Sequence, residues 1–173
     1  MDLRLFRLIN NLSGRYSPMD RLMILISNRI RYAYILILVI MLFKNRSNKR
    51  IAIETGSSVF LSFIAHFLIK LFYYKPRPFK KRRVGILIPS KLDSTFPSKH
   101  TLIAFAASTS IIFFNRSLGS LMLWMSAVTG FSRIWVGHHY PSDIIGSAML
   151  GSLLSVATRL ISFKQSGNKP EPG

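Results

Sequence analysis

Seven residues between positions 70 and 143 have the types and spacing that phosphate chemistry requires: Lys70, Arg77, Ser98, His100, Arg133, His139 and Asp143. An arginine fork matches two phosphate oxygens at once, and a lysine supplies a point charge. Ser98 and the following N–H groups lie at an expected helix start, where backbone donors and the helix dipole favour an anion. Of two histidines, one can attack phosphorus while the other protonates the departing oxygen. Asp143 follows His139 by four residues. On a helical path a carboxylate there reaches the second ring nitrogen and stabilises the charge formed on attack. Charge on the equatorial oxygens of the transition state would be met by the cations. No step in this scheme requires a metal or another cofactor. With six acidic residues and no carboxylate cluster, the sequence offers no two-metal site.

These residues are far apart in sequence, so the elements between them must bring them together. The chain has 173 residues, is 49% hydrophobic and carries a formal charge of +18. Its apolar residues fall in blocks separated by short basic clusters, the layout of a helical membrane protein. A nucleic-acid binder would be as basic but would not need repeated bilayer-length apolar stretches, so no nucleic-acid partner is expected. Cysteine is absent, which excludes disulfides, thiolate nucleophiles and Cys-based zinc sites. The expected fold is all-α: a polytopic bundle of about five spans preceded by an amphipathic, interfacial N-terminal helix. The spans are placed at about 22–43, 51–72, 99–114, 120–135 and 142–163. Arg29 and Arg31 inside the first imply either a protein-facing charge or a break in the helix. Residues 73–98 read as a long loop with four prolines. One membrane domain covers 1–163, and the polar, Pro/Gly-rich tail 164–173 reads as disordered. Small residues in the third and fifth spans (Ala104, Ala106, Ala107, Gly146, Gly151) let helices approach closely.

Spans three and four separate the loop 73–98 from the loop 136–141, so the two emerge on one face of the membrane. That places all seven residues near one surface. Taken singly, several are unremarkable: a lysine at a span end is usually an interfacial anchor. His138 reads as a neighbour of the site, Lys80 to Arg83 as an interfacial charge patch, and Asp93 has no assigned role.

Taken together, K-x6-RP (Lys70, Arg77, Pro78), PSKH (97–100) and SR-x5-H-x3-D (Ser132, Arg133, His139, Asp143) resemble the three-part signature of the type 2 phosphatidic acid phosphatase superfamily over roughly residues 50–160. FPSKHT and TGFSRIWVGHHYPSDIIGS are similar to its branch of bacterial undecaprenyl-diphosphate phosphatases linked to bacitracin resistance. The resemblance implies a phosphohistidine on His139, His100 as the acid, Asp143 supporting His139, and phosphate held by Lys70, Arg77, Ser98 and Arg133. It also implies a lipid diphosphate substrate and catalysis on the outer face of the cytoplasmic membrane. Lys99 stands where the family has glycine, and its added charge suits a diphosphate. Rival substrates are phosphatidylglycerophosphate and phosphatidate; a rival class is a subunit of a bacitracin exporter. Charge counting opposes the outward site. Lys44, Arg46, Lys49, Arg50, Arg116, Lys164 and Lys169 would lie inside, but Arg4, Arg7, Arg15 and the loop 73–98 put more charge on the site face. The sequence leaves the oligomeric state open.

Overall fold

The computed structural model describes residues 2–81, 87–89 and 93–167. Its elements are helices: α1 (Asp2–Asn10), α2 (Ser17–Lys44), α3 (Arg46–Phe72), a short α4 (Pro78–Lys81), α5 (Lys99–Ile112), α6 (Arg116–Trp135) and α7 (Pro141–Gly167). Three of them, α2, α3 and α7, are long and apolar enough to cross a membrane. Their outward surfaces carry large apolar side chains, among them Phe43, Phe60, Phe67, Leu153 and Leu160, each more than half exposed. Such a belt is stable against lipid and not against water, and the protein is accordingly a membrane protein.

The expected five spans appear as five long helices, of which α5 and α6 differ from the rest. Helix α5 has 14 residues, about 21 Å at 1.5 Å per residue, short of the roughly 30 Å hydrocarbon core. Eight of its residues are buried, four of them alanine or leucine and three serine or threonine. It is the packed axis of the bundle and has little need of a lipid-facing surface. The other expectations need smaller corrections. Helix α2 runs unbroken through Ser27–Arg31. Residues 73–98 contain the turn of helix α4. Helix α6 begins at Arg116, its first turn capped by Asn115 Oδ1 accepting from Leu118 N at 3.0 Å. Helix α7 extends to Gly167, beyond the expected end at 163, because no helix breaker intervenes before that glycine; the rest of the tail lies outside the described residues. So do the side chains of the expected basic patch Lys80–Arg83.

Two close approaches fix the packing around α5. A Cβ at Gly151 would lie 2.3 Å from the carbonyl oxygen of Leu102, so α7 touches the α5 backbone directly. A Cβ at Gly119 would meet the backbone of Ile112 at 2.3 Å, which ties the start of α6 to the end of α5. Polar pairs add to this: Thr109 and Ser152 hydroxyls meet at 3.0 Å, and Tyr34 Oη reaches Ser126 Oγ at 2.7 Å. At the end away from the loops, Glu54 of α3 pairs with Arg159 of α7 at 3.1 Å, and the guanidinium also lies over Phe114 and Phe163. The amphipathic N-terminal helix is present. It lies across the opposite end, where Phe6 is buried against Tyr140 and Asn10 Nδ2 donates to the Trp135 carbonyl at 3.1 Å.

Gly151→Ala is expected to force α5 and α7 apart and to lower stability by about 1–3 kcal/mol, as overpacking does. Gly56→Ala, where nothing lies within 4 Å of the added methyl, should be neutral or slightly stabilising. Melting temperatures of the two variants in detergent check this.

Candidate active site

The polar end of the bundle gathers the candidate residues from four segments: the end of α3, the loop before α5, the end of α6 and the start of α7. Lys70 sits in the last turn of α3 and Arg77 just before α4. Both point to Asp93. Lys70 Nζ donates to one carboxylate oxygen at 2.6 Å, and Arg77 Nη2 and Nε donate to the other at 2.7 and 3.0 Å. Burial disfavours the charged carboxylate, but the two cations outweigh it and hold the Asp93 pKa below its usual value. Arg77 Nη1 also donates to the His138 carbonyl at 3.2 Å, which ties the first candidate segment to the last.

Arg133 ends α6 almost fully buried. Its Nη1 donates to Ser27 Oγ of α2 at 2.6 Å, while its buried Nε has no hydrogen-bond partner. A guanidinium N–H left this way is a donor available to an anion. Ser98 is the N-cap of α5, but its own N–H is taken by Ser147 Oγ at 2.7 Å and its hydroxyl by Thr101 at 3.1 Å. Of the expected backbone donors, the first-turn N–H groups of Lys99 and His100 remain without an intrahelical acceptor. Lys99 is exposed and lays its Nζ 5.2 Å over the Phe63 ring. His100 faces a cavity between α2, α3 and α5. The charge of Arg133 acts on both His100 and His139.

His139 lies on the α6–α7 connection, after Gly137, whose φ of +83° suits a residue without a side chain. Asp143 is in the first turn of α7 and is wholly buried. The expected direct contact between them is not what joins them: a threonine stands between. Thr95 Oγ1 is 2.7 Å from Asp143 Oδ2 and 3.2 Å from His139 Nδ1. A carboxylate only accepts, so the hydroxyl proton goes to Asp143, and Thr95 must accept at its other contact. The Nδ1 of His139 therefore carries hydrogen, and Nε2 keeps its lone pair. Burial, reinforced by Arg133 and Arg77, pushes the His139 pKa well below the usual value, so the ring is neutral at physiological pH. Its neighbour His138 is likewise lowered to about 4, chiefly by burial, and its Nε2 meets the Ile88 carbonyl at 2.8 Å. Asp143 is further balanced by Lys75 Nζ at 2.6 Å and the Tyr140 N–H at 2.9 Å.

Four contributors escape the sequence: Thr95, Lys75, Ser27 and Asp93. A lone threonine in a loop carries no signal. Lys75 is indistinguishable from its basic neighbours, and Ser27 is 106 residues from Arg133. Asp93 had a usable sign, being the sole acidic residue between Lys70 and Asp143.

The family description that matches residues 51–166 is the PAP2 superfamily, and the chain belongs to it. It is 39% identical over 155 residues to the undecaprenyl-diphosphatase BcrC of Bacillus subtilis (strain 168), covering 89% of this chain and 80% of that protein. It is 31% identical over 152 residues to the bacitracin transport permease protein BcrC of Bacillus licheniformis, covering 86% and 74%. The crystal structure of Aquifex aeolicus LpxE shares the fold, with a TM-score of 0.77 at 24% identity over 91% of this chain and 93% of that one.

Thr95→Val keeps the side-chain shape and removes the hydroxyl, which leaves Asp143 Oδ2 in a buried site with one donor fewer. We expect a loss of about 1–3 kcal/mol in stability, with Thr95→Ser restoring most of it. Denaturation of the three proteins side by side checks this.

Proposed function

We propose that the protein hydrolyses undecaprenyl diphosphate to undecaprenyl phosphate and inorganic phosphate, which returns the lipid carrier to cell-wall synthesis and underlies bacitracin resistance. The observation that carries the chemistry is the neutral, buried His139 held through Thr95 to Asp143, with Arg77 and Arg133 acting on it. Likeness to BcrC supports the choice of lipid.

In this reading His139 Nε2 attacks the terminal phosphorus. The bond from that phosphorus to the bridging oxygen breaks, and His100 delivers a proton to that oxygen as undecaprenyl phosphate departs. The phosphohistidine bears positive charge, which Asp143 balances through Thr95. Water then attacks the same phosphorus and gives its proton to His100. The P–N bond breaks, and phosphate and neutral His139 return. Lys70, Arg77, Ser98 and Arg133 bind the oxygens of the phosphate under attack, Lys99 adds its charge on the side of a diphosphate's second phosphate, and Asp93 yields Lys70 and Arg77 to the substrate. All five long helices cross the cytoplasmic membrane, and the site opens on its outer face.

The expected result is phosphate release from undecaprenyl diphosphate in detergent that persists with chelator present. His139→Ala should abolish it, a fall of at least 10³-fold for loss of a nucleophile, and should abolish bacitracin resistance with it. Loss of activity in chelator would overturn the metal-free mechanism. Resistance that survives in His139→Ala would favour export, the reading that the likeness to a transport permease keeps in view. Faster turnover of phosphatidylglycerophosphate or phosphatidate in a substrate panel would reassign the lipid. Orientation has its own test. Reporter fusions at residue 47 and at the C-terminus should both read as cytoplasmic; periplasmic-type signals from both would invert the topology.

A further inference from the structure

The cavity that His100 faces has a volume of about 270 Å³ and is lined mostly by apolar side chains, including Ile35, Leu38 and Val59. Its polar and charged lining includes Arg31, Lys99 and His100, and the charges of Arg31 and Lys99 act on the His100 ring. Arg31 belongs to the same stripe of α2 as Ser27, one helical turn further on. Ser27 holds Arg133, so the stripe is fixed against the active site. Side chains on a helix tilt toward its N-terminus, which for α2 is the site end of the bundle; Arg31 lines the same cavity as His100, with its guanidinium resting 5.0 Å over the Tyr32 ring. Among the described residues, neither cation is engaged by a carboxylate. Arg31 Nη2 makes a 3.3 Å hydrogen bond to Tyr32 in an exposed setting, and Lys99 rests on Phe63. An arginine midway along a 28-residue membrane helix calls for an explanation in function.

In-line displacement puts the leaving group opposite the nucleophile. With His139 attacking and His100 on the departing oxygen, everything beyond the bridging oxygen of a diphosphate must lie on the His100 side, where this cavity opens. We propose that Arg31 and Lys99 form a second phosphate subsite, which binds the chain-proximal phosphate of a polyprenyl diphosphate while the first isoprene units enter the apolar slot between α2, α3 and α5. The proposal rests on the diphosphatase reading and deepens it: it makes these two cations the determinants of diphosphate over monophosphate. A monoester places carbon, not phosphate, at the same point and gains nothing from them. The attraction is charge-assisted, and a lysine substituted for Arg31 would keep the charge but lose the fork.

The test uses the purified full-length protein in detergent, with farnesyl diphosphate and farnesyl monophosphate as paired substrates. In Arg31→Gln the diphosphate-to-monophosphate ratio of kcat/KM is expected to fall at least tenfold, mainly through KM for the diphosphate. Arg31→Lys should recover part of it. Lys99→Gly, at an exposed position, should lower the ratio severalfold and carries the comparison independently if Arg31→Gln does not fold. If the unsubstituted protein releases phosphate only from the monophosphate, the diphosphatase reading fails, and the subsite with it. If the unsubstituted protein hydrolyses the diphosphate but the ratio is unchanged in Arg31→Gln and Lys99→Gly, the subsite alone is overturned, and Arg31 is an interfacial anchor.

Discussion

A buried carboxylate governs the polar end of this molecule. Asp143 has no exposure to solvent, and its charge is tolerable only because Lys75, the Thr95 hydroxyl and the Tyr140 N–H surround it. Lys75 and Thr95 come from the segment between α3 and α5 and Tyr140 from the α6–α7 connection, so satisfying the carboxylate positions both against the start of α7 at once. The hydrogen-bonded tautomer of His139 follows from the same arrangement, since the proton that Thr95 gives to Asp143 cannot also be given to the imidazole. Asp93 plays the corresponding part for Lys70 and Arg77. Two carboxylates thus hold apart and orient cations that would otherwise repel one another across a few ångströms.

The helices serve this end of the bundle in unequal ways. Helices α2, α3 and α7 meet lipid and supply anchorage, whereas α5 is buried and supplies proximity. Glycines of α6 and α7 let those helices come so close to α5 that residues 48 positions apart, Thr95 and Asp143, meet. A larger side chain at Gly151 or Gly119 would separate the helices and with them the loops they carry. Function here depends on the smallness of residues that take no part in the chemistry.

Much of this is legible in the sequence. The apolar blocks announce the helices, and the starts of α5 and α7 follow from Ser98 at a helix start and Pro141 in a first turn. Lys70, Arg77, Arg133, His139 and Asp143 stand out because fixed spacings tie them to known phosphate-binding patterns. The relay through Thr95 is hidden because i to i+4 spacing predicts contact between His139 and Asp143 only if both lie on one helix. In fact α7 begins at Pro141, so His139 leaves the helical path and a side chain from another loop fills the gap. The cohesion of Arg133 with Ser27 is hidden for a simpler reason: long-range polar contacts between helices leave no trace in local pattern. Likewise, the apolarity of a block does not report whether lipid or protein surrounds it, which is why α5 reads as a span like the others.

The ion pair at the far end bears on how the protein is made. Glu54 enters the membrane on the second long helix and its counter-charge, Arg159, arrives only with the last. Until synthesis is nearly complete, that acidic group has no basic partner from α7. The pairing of α3 with α7 is therefore completed only when the last helix docks. Biogenesis of this bundle closes from its carboxyl end.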